Sequence, residues 1–478
     1  MVKNYFYNLL LTLANLLFPI LSFPYVSRVL GPDGIGKAQF AFSFAQYFSL
    51  IAALGIPIYG IKEIAKYRDN AEARSKVFSE LIIIYFLTSV SLSIIYLLVI
   101  YNVPYFAKNR NLHLAAGSLV ILSFCFIEWL YSGMEQFKSI ALRSVLFKCI
   151  NLILLYTLVK TRADYPIYLY LMMFAFLGNN VLSLLLVKDK VRLTFKGLDL
   201  RKHIVPLLYI LGTTLAAGMY TDMDTVLLGF LSDTKTVGLY TAAVKLSKIA
   251  IPLVTSMGVI LIPKAGKDFA DNNTAGIQQT LNQTFRFLVF LGVPIAFGLM
   301  LLAPYFITLF SGKEFLPATF AMRLLSPLPL IIGFAHLLLY MILVPSGHNR
   351  EMFLCVLGGL VTSLVLNLLL VPTYKEVGSS VANVCSEIVV TSLYFYVISK
   401  YARFKYQWVL LIEAIFSACL FIPVVWAFQQ LSLPLLLMLL LSVAGCAAAY
   451  VLVQLLLFKN NFVSDIINFI KSRFTKVA

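Results

Sequence analysis

Residues Leu433–Leu457 read LPLLLMLLLSVAGCAAAYVLVQLLL, 25 positions without one Asp, Glu, Lys, Arg or His. At about 1.5 Å per residue such a helix is long enough for a hydrocarbon core of about 30 Å, and a spanning segment needs about 20 apolar residues. Runs of the same kind recur along the chain. They cover Tyr5–Val29, Lys37–Tyr59, Phe78–Val103, His113–Ser132, Ala141–Lys160 and Pro166–Val187, then His203–Leu231, Leu239–Ile262, Gln283–Ala303, Phe320–Val344, Glu351–Val371, Val377–Ser399 and Trp408–Phe428. Each is too long and too continuously apolar for a barrel strand, so the spans read as helices. The expectation is an all-α polytopic membrane protein of about fourteen transmembrane helices.

Composition agrees. Of 478 residues, 60% are hydrophobic and 12% charged, with a mean hydropathy of +0.89. Soluble domains carry about 25% charged residues. Tyr5–Val29 is too long for a signal-peptide core and has no small-residue cleavage site, so it reads as an uncleaved first span. The six cysteines each fall inside an apolar run and form no CxxC or Cys/His cluster, which excludes a disulfide framework or a metal site as the reading.

Loop charge orients the spans. With fourteen crossings the connections alternate in side, and one side collects 24 of the 38 Lys and Arg against 9 on the other. Positive charge marks the cytoplasmic side, so both termini are expected in the cytoplasm. The net charge of +17 is therefore largely topogenic, and nucleic-acid binding has no separate support. The end of the chain, 459–478, has Phe462, Ile466, Ile467 and Ile470 at helical spacing between basic residues and reads as an amphipathic cytoplasmic tail.

A shift of 202 residues lays Ile35-Gly36 on Val237-Gly238, Ala41 on Ala243 and Lys62 on Lys264. A shift of six spans preserves orientation, which gives parallel repeats about an axis along the membrane normal. The expected organisation is an N-terminal lobe (1–195, six helices) and a C-terminal lobe (196–405, six helices) around a central cavity. Two extra helices (406–458) and the tail (459–478) follow.

Ionisable residues inside spans are costly and by default face a cavity or a partner. Five cations fall there: Lys148, Lys245, Lys248, Arg286 and Arg323. The acids read within spans are Glu128, Asp222, Asp224, Glu387 and Glu413, and His336 is the one deep histidine. Lys245 and Lys248 are i,i+3 and share a helix face, about 9–14 Å below the outer end of their span. Asp222 and Asp224 lie at similar depth on the preceding, antiparallel span. Two readings stand: structural ion pairs, or a cleft whose lysines attract an anion while an aspartate carries a coupling H+ or Na+. Lys148, about 10 Å from the cytoplasmic end of its span, has the same two readings with Glu128. Arg286, a turn from the cytoplasmic end, is placed to snorkel, and Arg28 opens the outer mouth. No Walker A loop, HExxH, GxSxG or strand-linked GxGxxG occurs, which argues against an enzyme and a self-powered pump and leaves no cofactor other than a coupling ion.

The segment Pro24-Tyr25-Val26-Ser27-Arg28-Val29-Leu30-Gly31-Pro32-Asp33-Gly34-Ile35-Gly36, with Leu54-Gly55, Gly60-Ile61-Lys62-Glu63-Ile64-Ala65 and Arg68, resembles the polysaccharide transporter family. That family includes O-antigen flippases and sits in the superfamily of multidrug and toxin extruders and lipid II flippases. Asp224–Gly229 and Val237–Ala243 look like its second-lobe counterpart. The resemblance implies a flippase for undecaprenyl-diphosphate-linked oligosaccharides in the bacterial inner membrane. It further implies a cationic cavity, alternating access and ion coupling, with membrane lipids, a polymerase and glycosyltransferases as partners. Arg28, Lys148, Lys245, Lys248 and Arg286 are the candidate substrate-binding cations; Asp222, Asp224 and Glu128 are the candidate ion-coupling or charge-pair acids. A cation-coupled multidrug antiporter of the same superfamily is the alternative. A polytopic polymerase or glycosyltransferase fits less well, because no external connection is long.

Overall fold

In the computed structural model the described residues are 2–401, 404–431 and 433–459, without the side chains at 2–6, 8–9 and 213–222. The expected amphipathic tail falls outside them, apart from Lys459. The described residues are mostly helical, with no strand among them. In chain order the helices are α1 (Val2–Ala52), α2 (Ile56–Lys66), α3 (Ala71–Asn102), α4 (Arg110–Ala116), α5 (Ser118–Ile121), α6 (Glu128–Gly133), α7 (Phe137–Leu158), α8 (Tyr165–Leu185), α9 (Arg201–Leu231) and α10 (Thr234–Ile249). Then follow α11 (Ile251–Ala270), α12 (Thr274–Leu301), α13 (Ala303–Ser311), α14 (Thr319–Leu325), α15 (Leu328–Leu338), α16 (Asn349–Tyr401), α17 (Trp408–Cys419), α18 (Phe421–Gln429) and α19 (Leu435–Leu456).

Among the described residues, ten helical runs are long and apolar enough to cross a membrane, or eleven if the bent run 104–133 counts as one. This differs from the expected fourteen for a physical reason: helical runs pass through tight turns. In α16, Ser379 Oγ donates to Asn367 Oδ1 at 2.8 Å. Twelve residues of straight helix would separate them by about 18 Å. The chain therefore doubles back, at Lys375 (φ 50°, ψ −127°), and α16 is a hairpin of two antiparallel arms. Gly378 makes the turn possible, because a Cβ there would stand 2.7 Å from the backbone of Leu370. α1 breaks in the same way at Gly31 (φ 66°, ψ 178°), followed by Pro32.

The chain divides into two compact units, residues 1–241 and 242–478. The boundary between these two contact units falls inside α10. The reason is visible in the first unit: α9 packs on α1 and α2, and the start of α10 packs on the turn at the break of α1. A core cluster of the first unit buries Tyr59, Phe78, Tyr85, Trp129 and Tyr131 together among aliphatic side chains. Its α7 runs alongside the first arm of α1. Tyr156 Oη donates to the carbonyl of Leu21 (3.0 Å) and Tyr25 Oη to that of Val159 (2.7 Å), while Lys148 Nζ donates to Asn15 Oδ1. Residue numbers rise together on both helices, so first and fifth spans are parallel, as an alternating count requires.

In the second unit α11, α12, α15 and α16 pack together, and α17–α19 lean on α12. Gln454 Nε2 donates to Ser417 Oγ (3.0 Å), a polar link between α19 and α17 of the kind that joins helices in lipid. Large apolar side chains face outward along the helices of both units, among them Ile153, Leu369, Ile412 and Leu440. On a water-soluble protein such patches would demand partners; here the bilayer is the solvent.

Candidate functional site

The candidate residues divide between the two units. In the first, α1 and α7 hold Arg28 and Lys148. Pro19 and Pro24 interrupt the hydrogen-bond ladder of α1, since proline donates no N–H. Arg28 Nη1 donates to the carbonyl of Pro24 at 2.6 Å. Lys148, midway along α7, donates to the Asn15 side chain. The 13 residues from Asn15 to Arg28 place the two cations about 20 Å apart along the helix. They form two levels of one wall, with the tilted ring pair Tyr25 and Tyr156 (ring centroids 4.4 Å) between them.

Glu128 opens α6. The charges acting on it are Arg143 and Lys148, yet no ion pair joins it to either within 4.0 Å among the described residues. Arg143 lies instead over the ring of Tyr131 (4.2 Å) and reaches Ser139 Oγ at 3.2 Å. The Lys148–Glu128 ion pair is therefore not the arrangement found. Asp224, 1% exposed, accepts from Tyr240 Oη at 2.8 Å across the α9–α10 turn. The side chain of Asp222 is outside the described residues.

In the second unit Lys245 and Lys248 sit on one face of α10, both half-buried, just before the helix breaks at Ala250 ahead of Pro252. Arg286 is exposed on α12, and its Nε donates to Gln407 Oε1 at 2.8 Å. It faces the connection into α17.

The sequence reading missed polar residues without charge. Asn15 is the partner of Lys148. Asn151 shares the Lys148 face of α7, is 5% exposed, and its Oδ1 has no hydrogen-bond partner among the described residues. Asn179 Oδ1 on α8 is in the same state. Their signal was available: amides at helical spacing inside apolar runs. The list of acids within spans also omitted Glu80. It is fully buried, with Oε2 2.9 Å from His203 Nε2 and 2.8 Å from Lys202 Nζ. Its Oε1 accepts the amide of Asp199 (2.8 Å), and Tyr59 Oη reaches His203 Nδ1 at 2.9 Å. This network ties α2, α3 and α9 together. In the last turns of α2, Glu63 accepts from Lys66 Nζ at 2.6 Å and holds that ammonium above the ordinary lysine value.

The repeat-related turns meet inside the first unit. A Cβ on Gly36 would collide with the carbonyl of Thr234, and one on Gly238 with the carbonyl of Pro32. Under the 202-residue shift, 36 maps on 238 and 32 on 234, so the contact is its own mirror in the repeat. Thr234 Oγ1 donates to Asp33 Oδ1 (2.5 Å), and Asp33 pairs with Lys37 (2.5 Å). Tyr105 Oη closes the flank by donating to the carbonyl of Gly229.

Comparison with known proteins places this architecture. A protein of Escherichia coli K12 described as an O-antigen transporter is 23% identical over 403 residues, covering 82% of this chain and 95% of that one. Two solved structures share the fold. One is the lipid II flippase MurJ in an inward closed conformation, with a TM-score of 0.67, 14% identity, and 94% of this chain and 99% of that one covered. The other is an inward-facing multidrug resistance transporter of the MATE family in the MOP superfamily, with a TM-score of 0.66, 16% identity, and 81% and 96% covered. The profile of the family described as polysaccharide biosynthesis protein matches residues 1–267, more than half of the sequence. The chain belongs to that family of polysaccharide biosynthesis proteins.

Proposed function

We propose that the chain is a flippase that moves a lipid-linked oligosaccharide, built on undecaprenyl diphosphate, from the cytoplasmic to the outer leaflet during surface polysaccharide biosynthesis. The observation that carries this reading is Lys148: a cation inside the bundle whose hydrogen-bond partner is the neutral amide of Asn15 and which has no carboxylate within ion-pair reach among the described residues. A half-buried ammonium without a carboxylate partner attracts an anion. A diphosphate supplies one, and the unpartnered amides of Asn151 and Asn179 suit sugar hydroxyls.

In this reading Arg28, Lys245, Lys248 and Arg286 are the further candidate substrate-binding cations. The acids Asp222, Asp224 and Glu128 are the candidates for binding a coupling H+ or Na+. The protein is not an enzyme, lies in the bacterial inner membrane with both termini cytoplasmic, and works beside a polymerase and glycosyltransferases. The contact of the turns at Gly36 and Gly238 is the outer latch, closed here, that parts as alternating access proceeds. The lobes 1–195 and 196–405 are the rocking bodies.

A strain lacking the gene accumulates the undecaprenyl-linked unit on the cytoplasmic face; undisturbed export of every surface glycan overturns the reading. Glu128, which has no ion pair among the described residues, favours a second reading as a cation-coupled multidrug antiporter. Unchanged sensitivity to cationic dyes on deletion removes that one.

A further inference from the structure

After α8 the chain does not leave the first unit but lies along α3. The amide of Arg192 donates to Ser75 Oγ (3.1 Å) and that of Thr194 to Ser79 Oγ (2.9 Å). Two extended residues advance about 6.6 Å and four helical residues about 6 Å, so the two registers match. Arg74 Nη2 fastens the start of the segment through the carbonyl of Lys190 (2.8 Å), and Glu80 the end through the amide of Asp199. With the backbone so pinned, side chains alternate, and Val191, Leu193 and Phe195 fall on one side.

That side walls a groove of about 580 Å³ lined by Phe78, Ile82, Phe86, Phe124, Leu184 and Leu193, with Lys188 and Arg192 also on its lining. Leu185, Leu193 and Phe195 are 61%, 59% and 74% exposed, far more than apolar residues facing water allow as a group. Neither the Lys188 ammonium nor the Arg192 guanidinium has a hydrogen bond or ion pair among the described residues. An apolar channel with two uncommitted cations at its edge complements an amphiphile with an anionic head. The outward apolar residues around it face the bilayer, whose own solvent molecules are of this class.

We propose that this groove binds one anionic diacyl phospholipid of the leaflet next to the basic segments. An acyl chain lies against Phe78, Ile82 and Phe86, and the phosphate is held by Lys188 and Arg192. The site is separate from Lys148 and does not depend on the transported substrate.

Trp129 reports on it, because its ring centroid lies 5.7 Å from that of Phe78 in the groove wall. The chain has three tryptophans, so Trp408→Phe with Trp426→Phe leaves Trp129 as the single emitter. The purified full chain is titrated in nanodiscs with brominated-chain phosphatidylglycerol or phosphatidylcholine. Phosphatidylglycerol should half-quench Trp129 at a mole fraction at least about fivefold lower. Adding Lys188→Gln with Arg192→Gln, both exposed and outside the packed core, should bring that ratio to about one at an unchanged melting temperature. Equal quenching by the two lipids in the parent overturns the proposal, as does a preference that survives the double substitution. Displacement of brominated phosphatidylglycerol by undecaprenyl phosphate at lower mole fraction than by unbrominated phosphatidylglycerol also overturns it, and gives the groove to the tail of the polyprenyl carrier.

Discussion

A Cβ on Gly36 would stand 2.9 Å from the amide nitrogen of Gly238, so the two backbones touch where any side chain would hold them apart. Gly36→Ala and Gly238→Ala should each destabilise the closed form by about 1–3 kcal/mol, the usual cost of forcing extra atoms into a packed contact. The thermal midpoint of the purified protein should fall in each, and further in Gly36→Val. A midpoint unchanged in Gly36→Val would mean that the contact is not tight in the membrane.

The side chains of Asp33 and Thr234 are close enough to be joined covalently. With the native cysteines replaced, Asp33→Cys and Thr234→Cys should form a disulfide under mild oxidant and stop glycan export, and reductant should restore it. Export that continues while the cross-link is complete would show that this end never opens during transport.

Lys148→Ala should lower export about tenfold or more with normal insertion, since a charge-assisted hydrogen bond is worth about 1.5–3 kcal/mol. Lys148→Arg should retain part of the activity, and Asn15→Ala should have a smaller effect because the cation persists. Full export in Lys148→Ala would remove the residue from the site.

Replacing Lys245 and Lys248 together with Ala should reduce export without loss of membrane-inserted protein, each lysine alone doing less. Wild-type export in the double variant would assign both lysines to structure.

Glu80→Ala leaves His203 and Lys202 facing an empty buried position and should cost about 3–5 kcal/mol of stability. Lys202→Ala should cost at most about 1 kcal/mol, because that side chain is 43% exposed and screened. Melting temperatures of the two variants in detergent check the order; equal losses would mean that Glu80 depends on the lysine and not on His203.

The bilayer-spanning helices and the family were legible in the sequence alone. Both rest on one-dimensional signals: uninterrupted apolar runs such as Leu433–Leu457, loop charge, and the Leu30-Gly31-Pro32 segment, none of which needs a partner from elsewhere in the chain. The 202-residue shift puts Gly36 on Gly238 in the sequence, but that these glycines touch was not legible there. Partners are the part that only tertiary structure decides. Depth along a helix suggested Glu128 for Lys148; rotation about the helix axis, which depth does not contain, turned the lysine to Asn15. Glu80 sits near the start of an apolar run, where an acid passes for a solvated helix end, until α9 brings His203 and Lys202 against it. The groove at Lys188 and Arg192 likewise exists only because Ser75 and Ser79 pin a connecting segment to α3. Sequence set what must lie in lipid, because transfer free energy accumulates residue by residue. Packing chose which polar groups meet, because hydrogen bonds depend on direction as well as on composition.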